Sequence, residues 1–75
     1  MIDGRKEELL KEFGKNLKKI RTDKDVSLRD LAAAAELEHA QIFRIESGEI
    51  NPTYTTIIFL AEALQVDPAV LVSVK

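Results

Sequence analysis

Side chains able to do acid, base or nucleophilic chemistry are few and poorly spaced for catalysis. His39 is the only histidine among 75 residues, and cysteine is absent. No pattern pairs a serine or cysteine nucleophile with a histidine base, and no glycine-rich phosphate loop occurs. An ordinary zinc site is unsupported, because His39 has no cysteine or second histidine nearby. We therefore expect that the protein is not an enzyme and that it binds neither a metal nor a cofactor.

The composition indicates one ordinary globular domain. Hydrophobic residues make up 45% and charged residues 32% of the chain, and 75 residues is near the lower limit for independent folding. No apolar run approaches the ~20 residues that span a bilayer, and residues 1–6 lack the apolar stretch of a signal peptide. The absence of cysteine fits a reducing compartment. We predict a single cytoplasmic domain over residues 1–75, with no membrane partner.

Apolar spacing predicts an all-α fold of five short helices. The first, over residues 5–22, has Leu10, Phe13, Leu17 and Ile20 on one stripe. The others are predicted over residues 28–34, 38–47, 54–65 and 68–74. The expected boundary residues are the N-caps Ser27, Thr53 and Asp67, the stop at Gly48, and Pro68 at the first position of the last helix.

Residues 27–48 are the most informative part of the chain. Two short helices are joined there by a tight turn at residues 35–37, with Leu31, Leu37, Ile42 and Ile45 spaced to hold them together. Ala32 is small enough to let the helices cross closely. This arrangement presents the second of the two helices outward, as in a helix-turn-helix motif.

An ordered set of short matches to one family extends from about Phe13 to Leu71. The matching segments are Leu17-Lys18-Lys19-Ile20-Arg21, Ser27-Leu28-Arg29-Asp30-Leu31-Ala32, Ile42-Phe43-Arg44-Ile45-Glu46-Ser47-Gly48-Glu49, Pro52-Thr53, Ile57, Leu60-Ala61, Ala63-Leu64 and Val66-Asp67-Pro68. Together they resemble the lambda-repressor-like, Xre-type helix-turn-helix regulators. The resemblance implies a sequence-specific transcription regulator that binds double-stranded DNA.

Three positions depart from that family's usual pattern. Glu36 stands where glycine is common, so a positive φ there would be strained. Glu38 replaces a serine or threonine at the start of the third helix, and Leu28 replaces a glutamine at the start of the second. Glu36 and Glu38 would also lie close to a DNA backbone, which repels them.

The outward face of the third helix supplies the candidate base contacts. With Ile42 and Ile45 turned inward, a rotation of 100° per residue turns Ala40, Phe43 and Arg44 outward. Arg44 could pair with guanine, and Ala40 or Phe43 could contact a thymine methyl. The alternative is a solvated Arg44 and a Phe43 packed on a neighbour. The predicted base-reading residues are His39, Ala40, Gln41, Phe43 and Arg44.

Phosphate contacts are expected from the start of the second helix and from the region after the third. Backbone N–H groups near Leu28 and the side chain of Arg29 would be donors there. Such contacts orient a protein on DNA without reading its sequence. The predicted phosphate-contacting residues are Leu28, Arg29, Ser47, Asn51, Tyr54 and Thr55.

The resemblance also implies an internal ion pair and a dimer. Arg21 would pair with Glu46 and so tie the first helix to the third, in competition with a DNA contact by Arg21. Proteins of this type usually bind paired half-sites as two-fold dimers. We expect a homodimer through Ile58, Phe59, Val70 and Val74, unless Ile58 and Phe59 instead cover the first helix.

The charge balance keeps a second function open. A net charge of −2 is unusual for a DNA-binding domain, although a local basic face remains compatible with it. Clustering of Lys15, Lys18, Lys19, Arg29 and Arg44 on one face would favour DNA. Scattering of these cations would favour a protein-interaction module, antitoxin-like or scaffold, with an unknown protein partner and weak or no DNA binding.

Overall fold

The computed structural model describes residues 4–73. The regular secondary structure within that range is entirely helical. The helices are α1 (Arg5–Asp23), α2 (Leu28–Ala35), α3 (His39–Glu46), α4 (Tyr54–Leu64) and α5 (Pro68–Leu71). The prediction of an all-α fold with five helices is confirmed. No helix in the described range combines the length and apolar character needed to cross a membrane.

Side-chain caps begin three of the helices. The Oγ of Ser27 accepts a hydrogen bond from the backbone N–H of Asp30 at 3.0 Å, which starts α2. Thr53 caps α4 at 3.2 Å, and Asp67 caps α5 at 2.9 Å. Each cap satisfies one N–H group that the helix itself leaves without an acceptor. All three predicted N-caps are confirmed.

Left-handed residues end the two helices that pack on each other. Glu36 closes α2 and Gln65 closes α4, each with φ of 58°. Beyond Glu36, the N–H of Leu37 donates to the carbonyl of Ala32 at 2.9 Å, which is the long bond of a Schellman motif. Gly48, with φ of 78°, ends α3 as predicted.

The core lies where all five helices converge. α1 packs on α3, α2 packs on both α3 and α4, and α5 closes the end against α4 and α1. The completely buried large side chains are Leu17, Leu31, Ile42, Ile45, Leu60 and Leu71. Because the first of these is on α1 and the last is on α5, one apolar cluster fixes the orientation of every helix.

A close approach between α1 and α3 depends on Gly14. A Cβ atom built on Gly14 would lie 2.5 Å from the carbonyl oxygen of Ile45, and closer still to that of Glu46. Any side chain would therefore push α3 away. The sequence contained a signal for this contact. A glycine inside a 19-residue helix costs about 1 kcal/mol of stability relative to alanine, so its presence indicates that another segment packs closely at that position.

The end of the last helix was wrongly predicted. The expected helix over residues 68–74 ends at Leu71 instead, and Val72 is its C-cap. Asn16 of α1 explains the stop, because its Nδ2 donates to the carbonyls of Val70 at 2.8 Å and Leu71 at 3.1 Å. These bonds satisfy carbonyl groups that a longer helix would use internally.

Candidate nucleic-acid interface

α2, the turn at Glu36 and α3 form a compact helix-turn-helix unit. α2 packs on α3, Leu31 and Ala32 of α2 are buried, and only 6% of the Ala32 surface is exposed. The turn uses the positive φ at Glu36 that the sequence indicated would be strained. α3 therefore has one side fixed to the domain and the other side open to solvent.

The open side of α3 is the face that helical spacing predicted. Ile42 and Ile45 are buried on the inner side, whereas Ala40, Phe43 and Arg44 are exposed on the outer side. Phe43 has 54% of its surface exposed, so more than half of it is open to solvent. A large aromatic side chain in that position is available to contact another molecule.

The polar residues of α3 are also accessible. Arg44 and His39 are exposed and Gln41 is half-buried. Within residues 4–73, the guanidinium of Arg44 has neither a hydrogen-bond acceptor nor an ion-pair partner. Its N–H donors are therefore free to pair with an acceptor outside the domain.

The start of α2 has two backbone donors without an acceptor. Ser27 satisfies the N–H of Asp30, and the N–H of Leu31 donates to the Ser27 carbonyl. The N–H groups of Leu28 and Arg29 make no such bond in the described part of the chain. The Leu28 side chain is half-buried against the core, whereas Arg29 is exposed. These N–H groups can donate to an anion bound at this end of α2.

The segment after α3 places further polar groups on the surface. Ser47, Asn51, Tyr54 and Thr55 are exposed, Tyr54 to 76%. The Ser47 hydroxyl donates to the carbonyl of Phe43 at 2.9 Å, which leaves its oxygen lone pairs for other donors. The Thr55 hydroxyl lies 3.2 Å from that of Thr53.

The ion pair predicted between Arg21 and Glu46 is present at the junction of α1 and α3. Both side chains are nearly inaccessible, with 10% and 6% of their surfaces exposed. Arg21 also donates from Nη1 to the carbonyl of Val26 at 2.9 Å. A guanidinium held by these bonds is committed to the interior of the domain and does not extend toward an external ligand.

Comparison with known proteins identifies the family. The helix-turn-helix family profile matches residues 17–71. The chain belongs to the helix-turn-helix family. As the resemblance to lambda-repressor-like, Xre-type regulators implied, it is a sequence-specific DNA-binding regulator. The sequence has no significant match among the curated proteins compared with it.

A solved structure supports the same assignment. The chain is similar to the restriction-modification controller protein C.AhdI from Aeromonas hydrophila, with 34% identity and a TM-score of 0.82. The match covers 83% of this chain and 94% of the other. The similarity therefore extends over nearly the whole helix-turn-helix domain.

Two glutamates lie at the start of α3. Glu36 and Glu38 are both exposed, and Glu38 is the N-cap of α3. Unlike the caps of α2, α4 and α5, Glu38 makes no side-chain bond to its own helix. Neither carboxylate has an ion-pair partner within residues 4–73.

The cations of the helix-turn-helix domain lie on more than one surface. Arg29 and Arg44 are exposed on the helix-turn-helix unit itself. Lys15 and Lys19 instead line a groove with Ser73, next to α5, and Lys19 pairs with Asp23 at 2.9 Å. These four cations, on α1 and on the helix-turn-helix unit, therefore do not form one basic cluster.

Exposed apolar side chains mark α4 and α5. Phe59 is 47% exposed and Val70 is 45% exposed, while Ile58 is half-buried. Phe59 lies beside Ala34 at the end of α2, so it does not cover α1. Val74 lies outside the described residues. In the described range, no three acidic or histidine side chains come together as a metal site would require.

Proposed function

We propose that α3 lies in the major groove of double-stranded DNA and reads its base edges. Ala40, Phe43 and Arg44 face the bases in this arrangement, with His39 and Gln41 at the flanks. Arg44 donates to N7 and O6 of a guanine, and Phe43 or Ala40 contacts a thymine methyl. One observation carries this proposal. Arg44 lies on the solvent-exposed face of α3, and its side chain has no hydrogen-bond or ion-pair partner among residues 4–73.

The phosphate backbone is held on either side of α3. The free N–H groups of Leu28 and Arg29 donate to one phosphate, aided by the positive end of the α2 dipole. On the other side, phosphates are contacted by Ser47, Asn51, Tyr54 and Thr55. These contacts fix the position of the domain, and the base contacts provide the selectivity.

Binding to duplex DNA across a salt series tests the proposal. Wild type, Arg44→Ala and the control Lys15→Ala are compared on a random-sequence pool and on duplexes selected from it. Both variants remove one exposed cation, but Lys15 lines the groove beside α5. We expect affinity to fall steeply with salt. Arg44→Ala loses selectivity at a guanine position, whereas Lys15→Ala retains it.

Two results would contradict this assignment. Equal selectivity of Arg44→Ala and wild type would exclude Arg44 as a base-reading residue. Absence of wild-type binding at low salt would reject DNA reading as a whole and direct attention to a protein partner on the same face.

We also propose a homodimer through α4 and α5, with Ile58, Phe59, Val70 and Val74 at the interface. The exposed Phe59 and Val70 support it, because exposed apolar patches usually mark contact sites. A dimer presents two copies of α3 to half-sites separated by about one turn of DNA.

The regulator acts without catalysis and in the cytoplasm, where its DNA target is accessible. Similarity to a restriction-modification controller favours that kind of transcriptional control over a phage-type repressor or an antitoxin. We propose that residues 1–75 form a single helix-turn-helix domain, with the motif at about residues 27–48.

A second function has specific support. The cations are divided between two surfaces, and Glu36 and Glu38 are exposed where α3 begins. This distribution suits a module that binds a protein through α3. Binding of a protein partner that persists in high salt, together with absence of DNA binding, would favour the second function.

A further inference from the structure

We infer that Glu38 is a specificity-determining residue that reads a cytosine. This inference rests on the proposed placement of α3 in the major groove and deepens it. The observation behind it is a difference among helix caps. Ser27, Thr53 and Asp67 each bond their own helix, whereas the Glu38 carboxylate bonds nothing within residues 4–73.

The backbone of Glu38 has the conformation of an N-cap residue without help from its side chain. Its φ of −80° and ψ of 144° are extended, and its carbonyl accepts from the N–H of Gln41 at 3.0 Å and of Ile42 at 3.3 Å. The exposed carboxylate is therefore not needed to shape α3. It extends from the end of the helix that lies nearest the bases when a recognition helix enters the groove.

The Glu38 carboxylate lowers DNA affinity unless it has a ligand. A negative charge near the phosphate backbone weakens DNA binding at every sequence. This loss of affinity is offset if the carboxylate accepts a hydrogen bond from a particular base.

The chemistry of the major groove selects the base. An ionised carboxylate can only accept hydrogen bonds. Guanine offers acceptors at N7 and O6, and thymine offers an acceptor and a methyl, so both are unfavourable. Cytosine offers the N4 amino group without an adjacent acceptor, whereas adenine pairs its N6 amino group with the acceptor N7. Cytosine is therefore the best partner for Glu38.

The test compares Glu38→Gln with the control Glu36→Gln. Each variant removes one exposed negative charge near the start of α3 while keeping side-chain length. Duplexes selected by wild type are altered one base pair at a time, and relative affinities are measured at fixed salt. We expect wild type to prefer cytosine at one position of each half-site by about fivefold to 100-fold.

The two variants should then diverge. Glutamine pairs with N6 and N7 of adenine, so Glu38→Gln should shift the preference at that position from cytosine to adenine. Glu36→Gln should raise affinity for all sequences alike and leave the preference unchanged. A uniform rise with Glu38→Gln and no change in preference would overturn the inference, because Glu38 would then only repel the backbone. Failure of the proposed function is distinguishable, since wild type would then bind no duplex.

Discussion

Arg21 and Glu46 form a bidentate ion pair that joins α1 to α3. The Nε of Arg21 lies 2.7 Å from Oε2 of Glu46, and Nη2 lies 3.1 Å from Oε1. Since Glu46 is the last residue of α3, this pair fixes the end of that helix to the body of the domain. The orientation of the exposed face of α3 therefore depends on a buried polar contact as well as on apolar packing.

Glu46→Ala should destabilise the domain by about 3–5 kcal/mol, because it leaves the Arg21 charge buried without its counter-ion. Thermal unfolding followed by circular dichroism measures the effect. The control Lys19→Ala breaks a pair whose side chains are 73% and 62% exposed, and it should cost no more than about 1 kcal/mol. An unchanged melting temperature for Glu46→Ala would exclude a stabilising role for the pair.

Gly14→Ala should also destabilise the domain, here by displacing α3. At an exposed helix position this substitution would stabilise by about 1 kcal/mol, so the sign of the effect identifies the cause. The clash with the Ile45 and Glu46 carbonyls predicts a loss of about 1–3 kcal/mol. Urea unfolding of Gly14→Ala and the neighbouring Lys15→Ala measures the two effects. A gain of about 1 kcal/mol for Gly14→Ala would show that α3 can shift without penalty.

The features that the sequence predicted are those set by local chemistry. Ser27, Thr53 and Asp67 are good caps whatever surrounds them, and the spacing of Ile42 and Ile45 determines which side of α3 is buried. The five helices and the outward face of α3 follow from such rules.

The features that it did not predict depend on contacts between distant segments. The end of α5 is set by Asn16, which is 54 residues from Val70 in the chain, and the apolar residues of α5 have no period that marks a stop. The site residues proposed to touch DNA remain predictions for the same reason, because their partner is another molecule.

Glu36→Gly should stabilise the domain. Glu36 has a left-handed conformation with φ of 58°, which costs a residue with a Cβ about 1–2 kcal/mol and glycine almost nothing. Part of the gain is lost to the greater entropy of glycine in the unfolded chain, so we expect a net gain of up to about 1 kcal/mol.

Two further variants control this prediction. Gln65→Gly, at the equivalent turn after α4 with the same φ, should give a similar gain. Ala34→Gly, at an exposed position within α2, should instead lose about 1 kcal/mol. Equal losses for Glu36→Gly and Ala34→Gly in thermal unfolding would show that Glu36 is not strained.

Phe59→Glu should convert the proposed dimer into a monomer. A charge on this half-exposed apolar surface of α4 has no partner when two copies meet and would have to be desolvated. Sedimentation velocity at micromolar concentrations measures the oligomeric state of wild type, Phe59→Glu and the control Tyr54→Glu. Tyr54 is 76% exposed on the same helix but outside the proposed interface, so its variant should remain dimeric.

DNA binding by the same proteins gives a second readout. In a dimer, binding of one domain to DNA holds the other at a high effective concentration near the second half-site. Phe59→Glu should lose this advantage, so it should bind a duplex with two half-sites no more tightly than one with a single half-site. Tyr54→Glu should retain the advantage of two half-sites while weakening phosphate contact with each. A wild-type chain that sediments as a monomer and gains nothing from a second half-site would reject the dimer and leave each domain reading DNA alone.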